Sequence, residues 1–355
     1  MASESVIRII DANLNRLAEG LRVLEEAARM ILNDEVATQR LKTLRHDLVR
    51  GDLPFQLELL QSRNATQDVG ASLEVTGEAK EKGLALIVVS NARRAQESLR
   101  VLEELAKIPE FAFQMDSNKC KQARFELYTL EKKLVSRLVR QDKVKQISGL
   151  YAVIDIQILG GRNPLEATKE VIEAGVRVIQ LRAKTTSKNQ LLLIAQELQA
   201  LCKQKGVLFI VNDQLDVALA VKADGLHIGQ EDLPVEIARR LLPFDVLLGV
   251  SAATDEEVRL AEEGGADYIG VGAIFPTSSK NDINVVGLER LRQIKSITCL
   301  PLVAIGGINK DNADSVMSAG ADSICVISAI LGTGDINRAA RDIIKIIEDK
   351  NEKTY

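Results

Sequence analysis

The chain has 355 residues, of which 46% are hydrophobic and 27% are charged, so it can bury a full core and is long enough for two domains. The net charge is −4, and the scattered lysines and arginines form no basic stripe for nucleic acid. No apolar run reaches the roughly 18 residues of a membrane span, and residues 1–6 lack the regions of a signal peptide. We therefore expect a globular cytoplasmic protein.

The first part of the chain predicts helices. Apolar residues recur at helical spacing in four long stretches, which are residues 12–32, 36–49, 91–106 and 119–139. The pattern changes near Ile147. This change predicts an all-α bundle over residues 1–146 and a second domain over residues 147–355.

An internal repeat lies within the predicted bundle. Residues 13–26 and 91–104 are identical at nine of fourteen positions, which indicates two similar helical hairpins packed about a pseudo-twofold axis. A weaker echo links Arg40, Leu41 and Leu44 with Arg124, Phe125 and Tyr128. The repeated charges are Arg16, Glu19 and Glu26 in the first copy and Arg94, Glu97 and Glu104 in the second. Salt-bridged helices or a ligand pocket would both use them, and we expect the bundle to be an accessory module that promotes self-association.

The second part predicts a parallel β-sheet. Eight short Val- and Ile-rich runs, each followed by a helical pattern, cover residues 150–154, 176–181, 207–211, 225–228, 246–250, 268–273, 302–305 and 323–327. Eight such units in about 205 residues favour closure into a (β/α)8 barrel over an open, doubly wound sheet. The expected fold is therefore an α/β barrel preceded by a helical bundle.

Polar residues follow the early strands of this predicted barrel, at the carboxyl ends of the strands, where active sites lie in such folds. The second strand ends in Gln180–Lys184, whose two cations suit a pyrophosphate, although a solvated strand exit would look alike. Asp213 and Asp232 would sit on adjacent strand ends, where two carboxylates repel unless a cation lies between them. Mg²⁺ bridging to phosphate oxygens is the natural occupant, with a helix cap as the alternative for Asp213. His227 could be a core histidine.

Later strand ends indicate a second phosphate site. A capping box between Thr254 and Glu257 leaves Ser251 free to face the site. The sixth strand leads into a hydroxyl-rich loop at 277–280, and glycines 306 and 307 follow the seventh strand. Glycine loops beside a helix N-terminus, here at Ser328, form the usual phosphate site of such barrels.

The motifs QLRAK, VND, HIGQED, VSAAT, GAIFPTSSK, AIGGI and VISAI together resemble thiamine phosphate synthases over about residues 148–345. The resemblance implies a transferase that joins hydroxymethylpyrimidine diphosphate to a thiazole phosphate, carboxylated or not, and releases pyrophosphate. It implies that the pyrimidine diphosphate is bound by Gln180, Leu181, Arg182, Ala183, Lys184, Asn212, Ser251 and Lys280, with His227 as a further contact. It also implies Mg²⁺ on Asp213 and Asp232, and thiazole phosphate on Thr277, Ser278, Ser279, Gly307, Ile327 and Ser328.

The residues fit a dissociative reaction. An aminopyrimidine can stabilise a cation at its exocyclic methylene, and the thiazole nitrogen that captures it has no proton to lose, so no general base is needed. Arg182, Lys184 and Lys280, together with magnesium, would neutralise the leaving pyrophosphate. A thiazole tautomerase-like isomerase would keep the glycines but not need the cations. A non-catalytic precursor binder is the other alternative.

The four cysteines, Cys120, Cys202, Cys299 and Cys325, are dispersed without a CxxC spacing. This predicts reduced core residues, with a disulfide or zinc site as the alternative.

Overall fold

The computed structural model describes residues 4–49, 52–63, 83–277 and 285–352. The chain divides into two compact units, Met1–Val139 and Arg140–Tyr355. The division lies upstream of the predicted boundary at residue 146.

The first unit is helical, as predicted. Its helices are α1 (Glu4–Glu26, continued by a π-helical turn at Ala27–Ile31), α2 (Glu35–Val49), α3 (Leu53–Ser62), α4 (Leu84–Leu105) and the first part of α5 (Ser117–Val144). Helix α3 lies outside the four stretches predicted to be helical, and it is capped by the Asp52 carboxylate, which accepts the Phe55 N–H. The two repeat copies, α1 and α4, pack so closely that a Cβ on Gly20 would lie 2.8 Å from the Asn91 carbonyl oxygen.

The repeat builds equivalent buried ion pairs. Glu25 of α1 pairs with Arg45 at 2.9 Å, and its counterpart Glu103 in α4 pairs with Arg124 at 2.9 Å. The partner of Arg124 in the repeat is therefore Arg45, and the predicted echo with Arg40 is wrong. Arg40 instead pairs with Glu126 near the surface. The glutamates at the end of each copy thus tie the first helix of each hairpin to the second.

Other repeated charges line a cavity of about 520 Å³ between α1 and α4. Arg16 and Glu19 come from α1, and Arg94 and Glu97 from α4. All four are exposed, and within the part of the chain that the structure describes none makes an ion pair. Salt-bridged helices and a polar pocket therefore both occur in the bundle, but they use different members of the repeat.

The second unit is a closed barrel of eight parallel strands in sequential order, with β8 paired to β1, which confirms the predicted fold. The strands are β1 (Gly149–Asp155), β2 (Val178–Arg182), β3 (Leu208–Asn212), β4 (Gly225–Ile228), β5 (Leu247–Ser251), β6 (Tyr268–Val271), β7 (Leu302–Ile305) and β8 (Ser323–Val326). The helices are α6 (Pro164–Glu173), α7 (Lys188–Lys205), α8 (Leu215–Val221), α9 (Val235–Leu241), α10 (Asp255–Glu263), α11 (Gly287–Ile297), α12 (Ala313–Ser318), α13 (Ser328–Leu331) and α14 (Ile336–Glu352).

Two apolar layers hold the barrel together. One lies between the strands and the surrounding helices, and the other fills the barrel interior, where Tyr151 and Tyr268 are the largest fully buried side chains. All four cysteines are free, and three are buried as predicted, whereas Cys299 is exposed. No helix among the described residues is long and apolar enough to cross a membrane. The cytoplasmic location stays a prediction.

Candidate active site

A cavity of about 190 Å³ opens at the carboxyl ends of the barrel strands. Its walls come from residues that lie far apart in the sequence and meet because parallel strands end at one face. Nine of the predicted substrate residues line it, namely Gln180, Arg182, Asn212, His227, Ser251, Thr277, Gly307, Ile327 and Ser328. One cavity therefore unites residues that were predicted for the pyrimidine diphosphate and for the thiazole phosphate.

Not every predicted residue lies in this wall. The Leu181 side chain is 1% exposed and packs between the sheet and the helices, so only its main chain could contact a ligand. Ala183 packs against the same core. Ser278, Ser279 and Lys280 lie outside the described residues, and their assignments stay predictions.

Arg182 is held in place by a carboxylate that the sequence analysis did not single out. Asp155, the last residue of β1, pairs with the Arg182 guanidinium and also accepts the backbone N–H groups of Gln157 and Ile158 at 2.9 and 3.2 Å. The Asp155 side chain is 2% exposed and that of Arg182 is 12% exposed. A buried ion pair with further hydrogen bonds fixes the orientation of the guanidinium at the cavity.

The predicted carboxylate pair is present beside the cavity. Asp213 follows β3 with a left-handed φ of +61°, which Asp tolerates better than most residues, and its N–H donates to the His227 carbonyl at 2.8 Å. Its carboxylate pairs with Lys184 at 3.2 Å. Asp232 accepts the Gly229 N–H at 2.7 Å, and the Asp213 carboxylate is near enough to perturb its charge. The loops after β2, β3 and β4 therefore bring Lys184 and both carboxylates together.

Electrostatics at this pair fit a cation. Burial, together with the neighbouring Asp213 carboxylate, raises the pKa of Asp232, and Lys184 offsets part of the effect. Two carboxylates suit Mg²⁺, which keeps several waters and needs only one or two protein ligands. Among the described residues no group of three or more His, Cys, Asp and Glu side chains forms a metal cage. A metal here would complete its coordination with water and phosphate oxygens.

Glycines bring the loops after β6 and β7 into close contact. Gly306 and Gly307 have φ values of +100° and +64°. A Cβ on Gly306 would lie 2.5 Å from the Ala273 Cβ, and one on Gly307 would lie 2.5 Å from the Pro276 carbonyl oxygen. These positions require glycine for both conformation and space. They set the cavity wall that continues to Ser328 at the start of α13.

A chain of side-chain hydrogen bonds forms the floor of the cavity. The Gln180 amide nitrogen lies 2.7 Å from the Tyr151 hydroxyl, which lies 3.0 Å from the Tyr268 hydroxyl. Tyr268 is 3.1 Å from Nδ1 of His227, whose Nε2 is 3.0 Å from the Ser251 hydroxyl. Thr254 and Glu257 do form the predicted capping box, but Ser251 bonds to His227. Neither tyrosine was predicted as a site residue, because an aromatic residue inside a strand is ordinarily part of the core.

Comparison with known proteins separates the same two regions. The family model described as thiamine monophosphate synthase matches residues 150–330, and a second model, the ThiD2 family, matches residues 8–133. A thiamine phosphate pyrophosphorylase structure from Pyrococcus furiosus superposes with a TM-score of 0.54 and 39% identity, over 59% of this chain and 98% of its own.

Curated relatives give the same result over both regions. A thiamine-phosphate synthase of Prochlorococcus marinus subsp. pastoris is 37% identical over 98% of this chain and 96% of its own length. That of Moorella thermoacetica is 49% identical over 56% of this chain and 95% of its own. The first relative spans nearly the whole chain, and the second matches little more than half of it. The chain therefore belongs to the thiamine-phosphate synthase family.

Proposed function

We propose how this thiamine-phosphate synthase, a transferase, binds its two substrates. The pyrimidine diphosphate occupies the side of the cavity formed by Gln180, Arg182, Asn212 and Ser251, and the thiazole phosphate lies toward the glycine loops and Ser328. The observation that carries the proposal is that one cavity collects the predicted residues of both substrates. A bond between the two rings can form only if both lie in the same site.

Charge around the cavity suits the departure of pyrophosphate. The bond between the exocyclic methylene and the diphosphate oxygen breaks, its electron pair leaves with pyrophosphate, and the thiazole nitrogen then attacks the methylene. Arg182, fixed by Asp155, and Lys184 stabilise the developing negative charge, and we assign the same role to Lys280. Mg²⁺ on Asp213 and Asp232 would add positive charge to the leaving diphosphate oxygens.

An isomerase was the alternative enzyme for this barrel. An isomerase acting on a thiazole would have no use for a diphosphate-binding half of the cavity, whereas here the ordered Arg182 and the carboxylate pair are both present. The relatives that match the chain are named synthases. The proposal therefore keeps the synthase reaction.

Turnover with a magnesium titration tests the site. Full-length protein should release pyrophosphate and form thiamine phosphate, and Asp213→Ala or Asp232→Ala should lower turnover by about 10²-fold and weaken the magnesium dependence. Asp216→Ala is the matched control, because Asp216 is exposed and pairs with Lys188 on the outer helices. An unchanged magnesium titration in both site variants would remove the metal assignment.

The role of the helical bundle is a separate proposal. Arg16, Glu19, Arg94 and Glu97, which make no ion pair with any described residue, form a surface with two charges of each sign around the α1/α4 cavity. Such a surface can pair with a second copy of itself, because a twofold interface makes every contact twice, and an Arg–Glu pair between protomers would therefore be formed twice. We assign self-association to this surface.

A further inference from the structure

Asp155 and Arg182 are the last residues of neighbouring strands, β1 and β2, and they are register partners in the parallel ladder between them. Side chains alternate between the two faces of a strand. Asp155 therefore continues the inward-facing row of Tyr151 and Val153, and Arg182 continues that of Gln180. The topology thus places the carboxylate and the guanidinium side by side, at the end of the barrel where the cavity opens.

The two oxygens of the Asp155 carboxylate have separate partners. Oδ2 pairs with Nη1 of Arg182. Oδ1 accepts the N–H groups of Gln157 and Ile158 at 2.9 and 3.2 Å, which folds the start of the loop after β1. Asp155 is buried, so water competes little with either interaction. One oxygen thus serves the loop, and the other serves the guanidinium.

Of this pair, Arg182 is the member that reaches the cavity. Among the described residues that line it, Arg182 is present and Asp155 is not. The guanidinium donates to Asp155 through Nη1, and no other described residue accepts a hydrogen bond from it. Its remaining N–H groups can therefore bind the oxygens of an anion in the cavity. Asp155 acts through Arg182 rather than by contact with a substrate.

We propose that Asp155 is a positioning residue for the departure of pyrophosphate. It holds the Arg182 guanidinium in the orientation that meets the diphosphate oxygens, so this long side chain need not be ordered when the substrate binds or when charge develops on the leaving group. Asp155 also neutralises part of the positive charge of Arg182. Positioning strengthens the binding of a diphosphate and neutralisation weakens it, so the two effects can be told apart by experiment. This inference rests on the proposed position of the diphosphate beside Arg182.

Asp155→Asn separates the two tasks of the carboxylate. The amide keeps one oxygen for the two loop N–H groups, and its NH₂ group cannot accept from Arg182. We expect kcat/KM for the pyrimidine diphosphate to fall about tenfold, the scale of ordering one flexible side chain, while the KM for thiazole phosphate is unchanged. Asp116→Asn is the matched control, because one Asp116 oxygen accepts the N–H groups of Asn118 and Lys119 in the same pattern within the bundle. An unchanged kcat/KM in Asp155→Asn would overturn the proposal.

A double variant shows whether Asp155 acts through Arg182. Arg182→Ala removes the guanidinium that Asp155 positions, so the addition of Asp155→Asn should lower kcat/KM no further. Far-UV circular dichroism checks that each variant is folded. If the losses of the two single variants multiply instead, Asp155 acts by another route, and the proposal is overturned.

Binding of inorganic pyrophosphate tests the same pair without turnover. Calorimetric titration in the presence of magnesium should give a Kd about tenfold higher for Asp155→Asn than for the wild type. Tighter binding would overturn the proposal, because it would show that Asp155 mainly neutralises Arg182. The comparison also holds if Arg182→Ala does not fold. If the wild type binds pyrophosphate but forms no thiamine phosphate, the proposed function fails, and the two dissociation constants still decide the role of Asp155.

Discussion

The barrel unit depends on one arginine that precedes its first strand. Arg140 is 2% exposed, and its Nε donates to an Asp267 carboxylate oxygen at 2.8 Å, while another guanidinium nitrogen donates to the Phe244 carbonyl at 2.9 Å. The other Asp267 oxygen accepts the Leu248 N–H at 2.9 Å and pairs with Arg239 at 3.2 Å. A barrel that starts at residue 146 would lack Arg140, and the buried Asp267 carboxylate would lose this partner.

The stability lost with Arg140 can be derived from that geometry. Removing one partner of a buried ion pair costs about 3–5 kcal/mol. Arg239 remains beside Asp267, and its pKa, lowered to about 10 by burial and by the nearby Arg140, should rise once Arg140 is gone. We therefore expect the loss of Arg140 to lower the free energy of unfolding by about 3 kcal/mol, the lower end of that range. The total free energy of unfolding of a domain is about 5–15 kcal/mol. The shortened barrel should fold and retain synthase activity, but with a smaller free energy of unfolding.

Urea denaturation of two shortened proteins measures this loss. A variant lacking residues 1–136 keeps Arg140, and one lacking residues 1–145 does not. In addition, Arg140→Met in the full chain removes the charge without removing the bundle. Equal urea midpoints for the two shortened proteins would refute the ion-pair reasoning. An aggregated or inactive barrel in both would refute the expectation that eight βα units complete the fold without the bundle.

Three further predictions follow from the two units. Arg182→Ala should mainly lower kcat, and Ser328→Ala should mainly raise the KM for thiazole phosphate; steady-state kinetics with each substrate varied would show the opposite pattern if the halves of the cavity were misassigned. Because burial and Asp213 raise the pKa of Asp232, protons should compete with metal there. The magnesium concentration for half-maximal turnover should therefore rise as pH falls through that raised pKa, and a flat profile would contradict the carboxylate pair as ligand. Arg16→Glu combined with Arg94→Glu should shift size-exclusion elution toward the monomer, and an unchanged oligomeric state would remove the self-association proposal.

The sequence was most informative where local pattern and topology agree. All eight strands could be predicted, because Val- and Ile-rich runs alternate with helical patterns. Once the barrel is inferred, residues at strand ends such as Asp213 and Ser251 must converge on one face. Nine of the predicted residues do line one cavity.

Contacts between distant residues could not be predicted in this way. Arg140 and Asp267 are 127 positions apart, and an arginine in a charged helix reads as a surface residue. Tyr151 and Tyr268 occupy strand interiors, where aromatic residues are ordinary core. Asp155 could have been predicted as a site residue from the sequence. It is the last residue of the first strand, and Asp213 was predicted because it follows the third strand in the same way. Which residues of the second helices correspond in the two bundle hairpins could be seen only from the ion pairs that Glu25 and Glu103 make.

The space above Gly249 has a consequence for how this barrel can diverge. Any larger residue at 249 collides with the Tyr268 ring, so the glycine can be replaced only in a lineage that has already lost the tyrosine. Once an alanine stands there, the tyrosine cannot return by a single substitution. The order of mutations is therefore constrained in both directions, and the two positions should be inherited as a pair even though 19 residues separate them in the sequence.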